Sequence, residues 1–264
     1  MTLVIATLTT QDNIDVVQIW ADSRVAGSSK ILDSAPKLLP VSVKIFGADN
    51  SIVHETIIGF GFSGSTLISL STYAFLNSAL QLLKLGPDEK LPSMTDIGVM
   101  AANSLWEYAQ ELGSNTGRGT RTAIWVSGYC EERKRMMLLE FETSTDSGSL
   151  KVKPKFHDLY EKNEADYRPA FIMGDAVAKE KLSELCTDKG IHPISGLLHC
   201  IQDDAITSVG GNLQMMAVSS KGVKILPILR TSPQGNEKLT LLNRDITDTK
   251  IGECGLNTFA MSFD

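Results

Sequence analysis

Met1-Thr2-Leu3-Val4-Ile5 opens the chain and decides how the rest of it reads. Loss of one methionine exposes a threonine whose α-amino group and hydroxyl sit on the same residue, so that a nucleophile and a base stand together at the mouth of a strand. A free N-terminal amine titrates near about 8, which leaves an appreciable fraction unprotonated at neutral pH to accept the hydroxyl proton, directly or through water. A small residue after Met1 is also what lets cellular aminopeptidases remove the methionine, so no self-cleavage step is required. Many proteins begin Met-Thr, and the reading gains weight only from residues further along the chain.

Three downstream features agree with it. After a hairpin-like break at Thr10-Gln11-Asp12-Asn13, the run Val16-Val17-Gln18-Ile19-Trp20-Ala21 reads as a buried strand that delivers Asp22-Ser23-Arg24 at its end. Lys37 then stands before another short apolar strand, Leu38-Leu39-Pro40-Val41-Ser42-Val43. Finally, Ile57-Ile58-Gly59-Phe60-Gly61-Phe62 runs into Ser63-Gly64-Ser65-Thr66 and a long apolar helix pattern from Leu67.

Threonine, Ala-Asp-Ser-Arg, lysine and Gly-Phe-Ser-Gly-Ser-Thr, in that order, resemble the proteasome β subunits and the bacterial HslV protease, both N-terminal nucleophile (Ntn) hydrolases. The resemblance is closest to the short bacterial β-type homologues and covers the first third best, the element pattern up to about residue 228 less well, and the tail not at all. It implies that Thr2 is the nucleophile and that Lys37 is the active-site lysine, which lowers the pKa of the threonine hydroxyl and steadies the proton transfers. Asp22 then holds that lysine charged and oriented. The stretch between them is about one residue shorter than the family pattern, which leaves Lys30 as an alternative. Gly64 matches the glycine whose backbone N–H faces the oxyanion, and Phe62 a position that shapes the floor of the first specificity pocket.

Two parts of the family's site fit less well. In Ile172-Met173-Gly174-Asp175, Asp175 replaces a serine that bonds near the amine, and a carboxylate there favours the protonated amine over the base. Asp204 and Ser208, before Gly210-Gly211, match the family's Asp, Ser and Gly-Gly cluster with about two extra residues between them.

Composition narrows the classes. With 264 residues and 42% hydrophobic content the chain can bury one substantial core. A net charge of -6 and a pI near 5.3 argue against nucleic-acid binding, and the one basic cluster, Arg133-Lys134-Arg135, follows Glu131-Glu132 and reads as a solvated turn. Cys130, Cys186, Cys200 and Cys254 show no Cys-x-x-Cys spacing and no secretion signal precedes them, which reads as reduced thiols in a cytoplasmic protein. His54, His157, His192 and His199 show no metal-ligand pairing, and neither a metal nor a cofactor is expected. The longest apolar stretch, Ile68 to Leu85, is broken by Ser69, Ser71, Asn77 and Ser78, so no membrane span is expected.

Along the chain, helices are expected at about Thr66 to Leu85 and Met94 to Leu112, then strands at Thr122 to Tyr129, Arg135 to Thr143, Leu150 to Lys155 and Ala170 to Met173. A second helical pair comes next at Ala176 to Asp188 and Ile194 to Asp204, then strands at Asn212 to Ser219 and Val223 to Leu229. Strands, two helices, strands, two helices, strands is the order of an α+β fold, a four-layer αββα sandwich of the Ntn-hydrolase type. It would occupy residues 1–229, with residues 230–264 as a C-terminal extension.

The resemblance implies a threonine-type peptidase that cleaves peptides or unfolded protein segments inside a self-compartmentalising homo-oligomer of two stacked rings, seven-membered rather than six-membered. No nucleotide-binding loop is present, so any ATP-driven unfoldase would be a partner. Two alternatives stand beside it: an Ntn amidohydrolase acting on small amides, and a ring-forming scaffold with attenuated catalysis, motivated by Asp175 and the irregular segment from Asp204 to Gly211.

Overall fold

The computed structural model describes residues 2–26, 30–116, 121–146, 149–160, 171–231, 237–242, 244–251, 254–255 and 261–262. The fold begins with a hairpin, β1 (Leu3–Gln11) and β2 (Ile14–Ala21), in antiparallel register from Val4 opposite Ala21 to Gln11 opposite Ile14. Asp12 and Asn13 form its two-residue turn with φ of 49° and 60°, the left-handed conformation that such turns require and that short polar side chains tolerate. Two short strands, β3 (Val25–Ala26) and β4 (Lys30–Leu32), lead to the long hairpin of β5 (Leu38–Phe46) and β6 (Ile52–Gly64).

Helix α1 (Thr66–Ala79) starts at Ser65, whose hydroxyl accepts from the Ile68 N–H, and β7 (Leu83–Lys84) comes after it. In α2 (Met94–Thr116) Ser93 and Asp96 cap each other reciprocally: Asp96 accepts from the Ser93 N–H at 2.8 Å and the Ser93 hydroxyl from the Asp96 N–H at 3.2 Å. Next come β8 (Thr122–Cys130), β9 (Arg135–Asp146), β10 (Ser149–His157), β11 (Phe171–Gly174), α3 (Ala176–Thr187), α4 (Pro193–Gln202), β12 (Gln214–Ser219), β13 (Gly222–Leu226) and β14 (Ile228–Thr231).

The fold is mixed α/β, with two main sheets. One has the strand order β11-β1-β2-β12-β13 and the other β10-β9-β8-β6-β5-β7. The period-2 alternation of β1 sends its side chains to two different cores. Val4 and Ala6 meet Leu38, Trp125 and Leu138 of the second sheet, whereas Leu3 and Ile5 pack on Leu182 of α3 and Leu197 of α4. A third cluster joins Ile68 and Leu76 of α1 and Ile97 and Leu105 of α2 to Phe60, Val126 and Leu139.

Several boundaries differ from the sequence reading, each for a tertiary reason. The helix expected to reach Leu85 ends at Ala79, because Leu83–Lys84 pairs in parallel with Ile45–Phe46 and the Leu80 carbonyl accepts from the Lys44 N–H. The second helix runs past Gly113 to Thr116. The last expected strand is split at Pro227, which has no N–H to give to a ladder.

The strand β14 runs across residues 229 and 230 and pairs with Glu237 to Thr240, and Ile228 is buried with the α3 and α4 core. Among the described residues no helix is long and apolar enough to cross a membrane.

Candidate active site

Four strand ends converge where the chain begins. Thr2 precedes β1, Asp22 follows β2, Lys37 precedes β5 and Gly174 ends β11. Thr2 is fully buried, and its hydroxyl has no hydrogen-bond partner among the described residues. Ser69, Thr72 and Thr122 carry buried hydroxyls in the same condition, so the unpaired state alone does not single out Thr2. The Thr2 carbonyl accepts from the Asp175 N–H at 2.9 Å. Gly174, at φ 139°, abuts that same carbonyl, and a side chain there would overlap it.

Asp22 is also fully buried. One carboxylate oxygen accepts from the Leu3 N–H at 3.0 Å, the other from the N–H groups of Arg24 and Gly210 at 3.1 Å each. Burial pushes its pKa up to about 6, against the Lys37 charge and the three backbone donors, which pull it down. It is therefore largely ionised at neutral pH. Lys37 is 1% exposed; burial lowers its pKa and the Asp22 charge raises it again. Its ammonium lies 5.0 Å from the centre of the Phe62 ring, so Phe62 supports the lysine with its face. Lys30, by contrast, is exposed and pairs with Asp33 at 3.0 Å. Of the two lysines, Lys37 is the one carried into the interior with Asp22.

Gly64 ends β6 opposite Thr122 at φ 94°, where an added Cβ would run into the Arg121 carbonyl. With Ser63, Thr122, Gly174 and Lys179 it lines a small polar pocket.

Asp175 sits next to Thr2, but its carboxylate caps α3, accepting from the N–H groups of Val177 and Ala178 at 3.0 and 3.1 Å. Asp204 is exposed in the turn after α4 and Ser208 is half-buried; among the described residues neither makes a hydrogen bond to Thr2, Asp22 or Lys37. Backbone groups of that segment reach the site instead. The Arg24 guanidinium donates to the carbonyls of Val209 and Thr207, and the Gly210 N–H serves Asp22.

Two residues to which the sequence reading gave no role of their own, Ser23 within the Ala-Asp-Ser-Arg motif and Gln214 outside any motif, hold this arrangement. The Ser23 hydroxyl donates to the Asp33 carbonyl and accepts from the Asn212 N–H, both at 2.7 Å. Gln214 is 1% exposed and its amide contacts the backbone on both sides of Pro36. Its only trace in the sequence is a polar residue opening the apolar run Gln214-Met215-Met216-Ala217-Val218.

No protein-family model matches the chain, and neither does any curated protein. Among solved structures it is similar to Anbu (ancestral beta-subunit) from Yersinia bercovieri, with a TM-score of 0.50 and 13% identity over 85% of this chain and 86% of that one. At that identity the likeness concerns the fold alone. The chain therefore has a proteasome-β-like fold, with nothing in the likeness that points to the HslV type in particular.

Proposed function

We propose that the protein is a threonine-type peptidase whose nucleophile is Thr2 once Met1 has been removed. The observation that carries this reading is the burial of Thr2 next to Leu3, whose N–H binds the Asp22 carboxylate, with the Lys37 charge buried within electrostatic reach of Asp22. The two sheets with a helical pair on each outer side are read as a four-layer αββα sandwich of the Ntn-hydrolase type. Residues 1–229 form that unit in this reading, and 230–264 extend it.

In the reaction the Thr2 amine takes the hydroxyl proton as the hydroxyl oxygen attacks the substrate carbonyl. Lys37, its pKa lowered by burial, stabilises the developing alkoxide, and Asp22 keeps the lysine in place. The Gly64 N–H faces the oxyanion. As the C–N bond breaks, the amine returns its proton to the leaving nitrogen. Water, deprotonated by the same amine, then cleaves the ester and the proton goes back to the Thr2 oxygen. Peptides or unfolded segments are the substrates, reached within a stacked homo-oligomeric ring in the cytoplasm.

A second reading, a ring-forming scaffold with attenuated catalysis, is favoured by two observations: Asp204 is exposed, and the Asp175 carboxylate is occupied as a helix cap.

The two readings separate by intact mass before and after exposure to a peptide epoxyketone, which closes a ring only on an amine and hydroxyl of one residue. The peptidase reading expects loss of Met1 and one adduct, absent in Thr2→Ala. Loss of Met1 with no adduct sinks it in favour of the scaffold.

A further inference from the structure

Lys37 can act only if its backbone is held where its charge is felt by Asp22, and the segment that brings it there enters the strand without a full set of backbone donors. Ala35-Pro36-Lys37 enters β5 through a proline, which contributes no N–H. Gln214 spans that gap. Its side-chain nitrogen donates to the Ala35 carbonyl at 2.6 Å and its side-chain oxygen accepts from the Lys37 N–H at 2.9 Å. The amide thus pairs with the backbone on either side of Pro36 as a neighbouring strand would, and turning it over would break both bonds at once.

The contact is also well aimed. Gln214 is the first residue of β12 and lies in register with Ala21, the residue before Asp22. One side chain therefore ties the approach to Lys37 to the strand neighbouring the end that carries Asp22. The remaining ties of the segment are backbone bonds: the Ala35 N–H donates to the Ser23 carbonyl at 2.9 Å, and the Lys37 carbonyl accepts from the Phe62 N–H at 3.3 Å. Among the described residues, Gln214 is the side chain whose hydrogen bonds reach the backbone on both sides of Pro36.

We infer that Gln214 is a positioning residue for the lysine of the active site, setting the place of the Lys37 ammonium relative to Asp22 and Thr2 without touching substrate. The inference rests on the reading of Thr2 as the nucleophile. A displacement of about 1 Å in a catalytic group can lower a rate roughly 100-fold, so its loss is expected in the chemical step and not in substrate affinity.

The test measures covalent labelling of Thr2 by a peptide epoxyketone in the full-length, Met1-free protein, separating the maximal rate from the half-saturating concentration across pH. In Gln214→Leu the maximal rate is expected to fall about 10- to 100-fold with the half-saturating concentration nearly unchanged. Near-UV circular dichroism reports whether the variant is folded. Gln214→Glu keeps the acceptor for Lys37 but, when ionised, repels the Ala35 carbonyl; protonation restores the donor. Its rate relative to the unsubstituted protein should therefore rise as pH falls, a response that general loosening of the core would not give.

A folded Gln214→Leu protein labelled at the ordinary rate overturns the inference. So does a Gln214→Glu rate ratio that is flat with pH, which remains decisive if Gln214→Leu fails to fold. Failure of the unsubstituted protein to label at all would instead remove the nucleophile reading on which the inference rests.

Discussion

Asp22 and Lys37 are two buried charges, each of which would be expelled from an apolar interior alone. Removing one partner from such a pair leaves an uncompensated buried charge, which typically costs about 3–5 kcal/mol, whereas replacing both is often tolerated. Lys37→Met removes the charge that lowers the Asp22 pKa, so it should destabilise increasingly as pH rises above about 6, and the double variant Asp22→Asn with Lys37→Met should lack that pH dependence in urea unfolding followed by tryptophan fluorescence. Neither should recover Thr2 labelling, which is expected to fall at least about 100-fold with loss of the proton-transfer partner.

The sign of the pH dependence comes from the raised pKa of Asp22. Its contribution to stability is fully present below its ordinary value of 3.8 and is lost as pH rises through about 6. Labelling of Thr2 should run the other way, rising as Asp22 ionises near pH 6, with Asp22→Asn slower and lacking that inflection. An acid limb at the same pH in Asp22→Asn would assign the titration to another group.

At the level of elements, the site depends on how strands end and helices begin. Asp175 both donates its N–H to the Thr2 carbonyl and caps α3 with its carboxylate. Asp175→Ala should lower stability by about 1 kcal/mol, the usual value of an N-cap, and Asp175→Ser should restore it. If Asp175 acts only as a cap, the pH profile of labelling is the same in Asp175→Ser as in the unsubstituted protein. A shifted profile would mean that the carboxylate also acts on the Thr2 amine. Asp204 differs in its surroundings: both aspartates lie at the end of an element, but only Asp175 has a helix start within reach and a buried neighbour to hold it.

Across the whole molecule, three apolar clusters hold two sheets and two helical pairs together. The chain beyond the last expected strand is tied into this arrangement through Ile228, 4% exposed, whose carbonyl accepts from the Thr240 hydroxyl at 3.2 Å. Ile228→Ala should cost about 2–4 kcal/mol if it empties a buried site in the core. A change within about 0.5 kcal/mol in urea unfolding, the range of an ordinary surface substitution, would mean that Ile228 does not contribute to this core.

The sequence alone determined what depends on neighbours a few residues away. The apolar runs of β1 and β2, the break at Asp12-Asn13, the helix start near Thr66 and the identity of a threonine behind one methionine are local properties of chain chemistry. Tertiary structure decided the rest, because the deciding contacts span long separations. Helix α1 stops at Ala79 because a strand edge at Ile45–Phe46 takes Leu83–Lys84 as its neighbour. Lys37 rather than Lys30 is buried, and Gln214 meets Lys37 across 177 positions of sequence. A glutamine at the head of an apolar strand carries no local mark of such a partner; only the packing of the two sheets brings its amide to the backbone on both sides of Pro36.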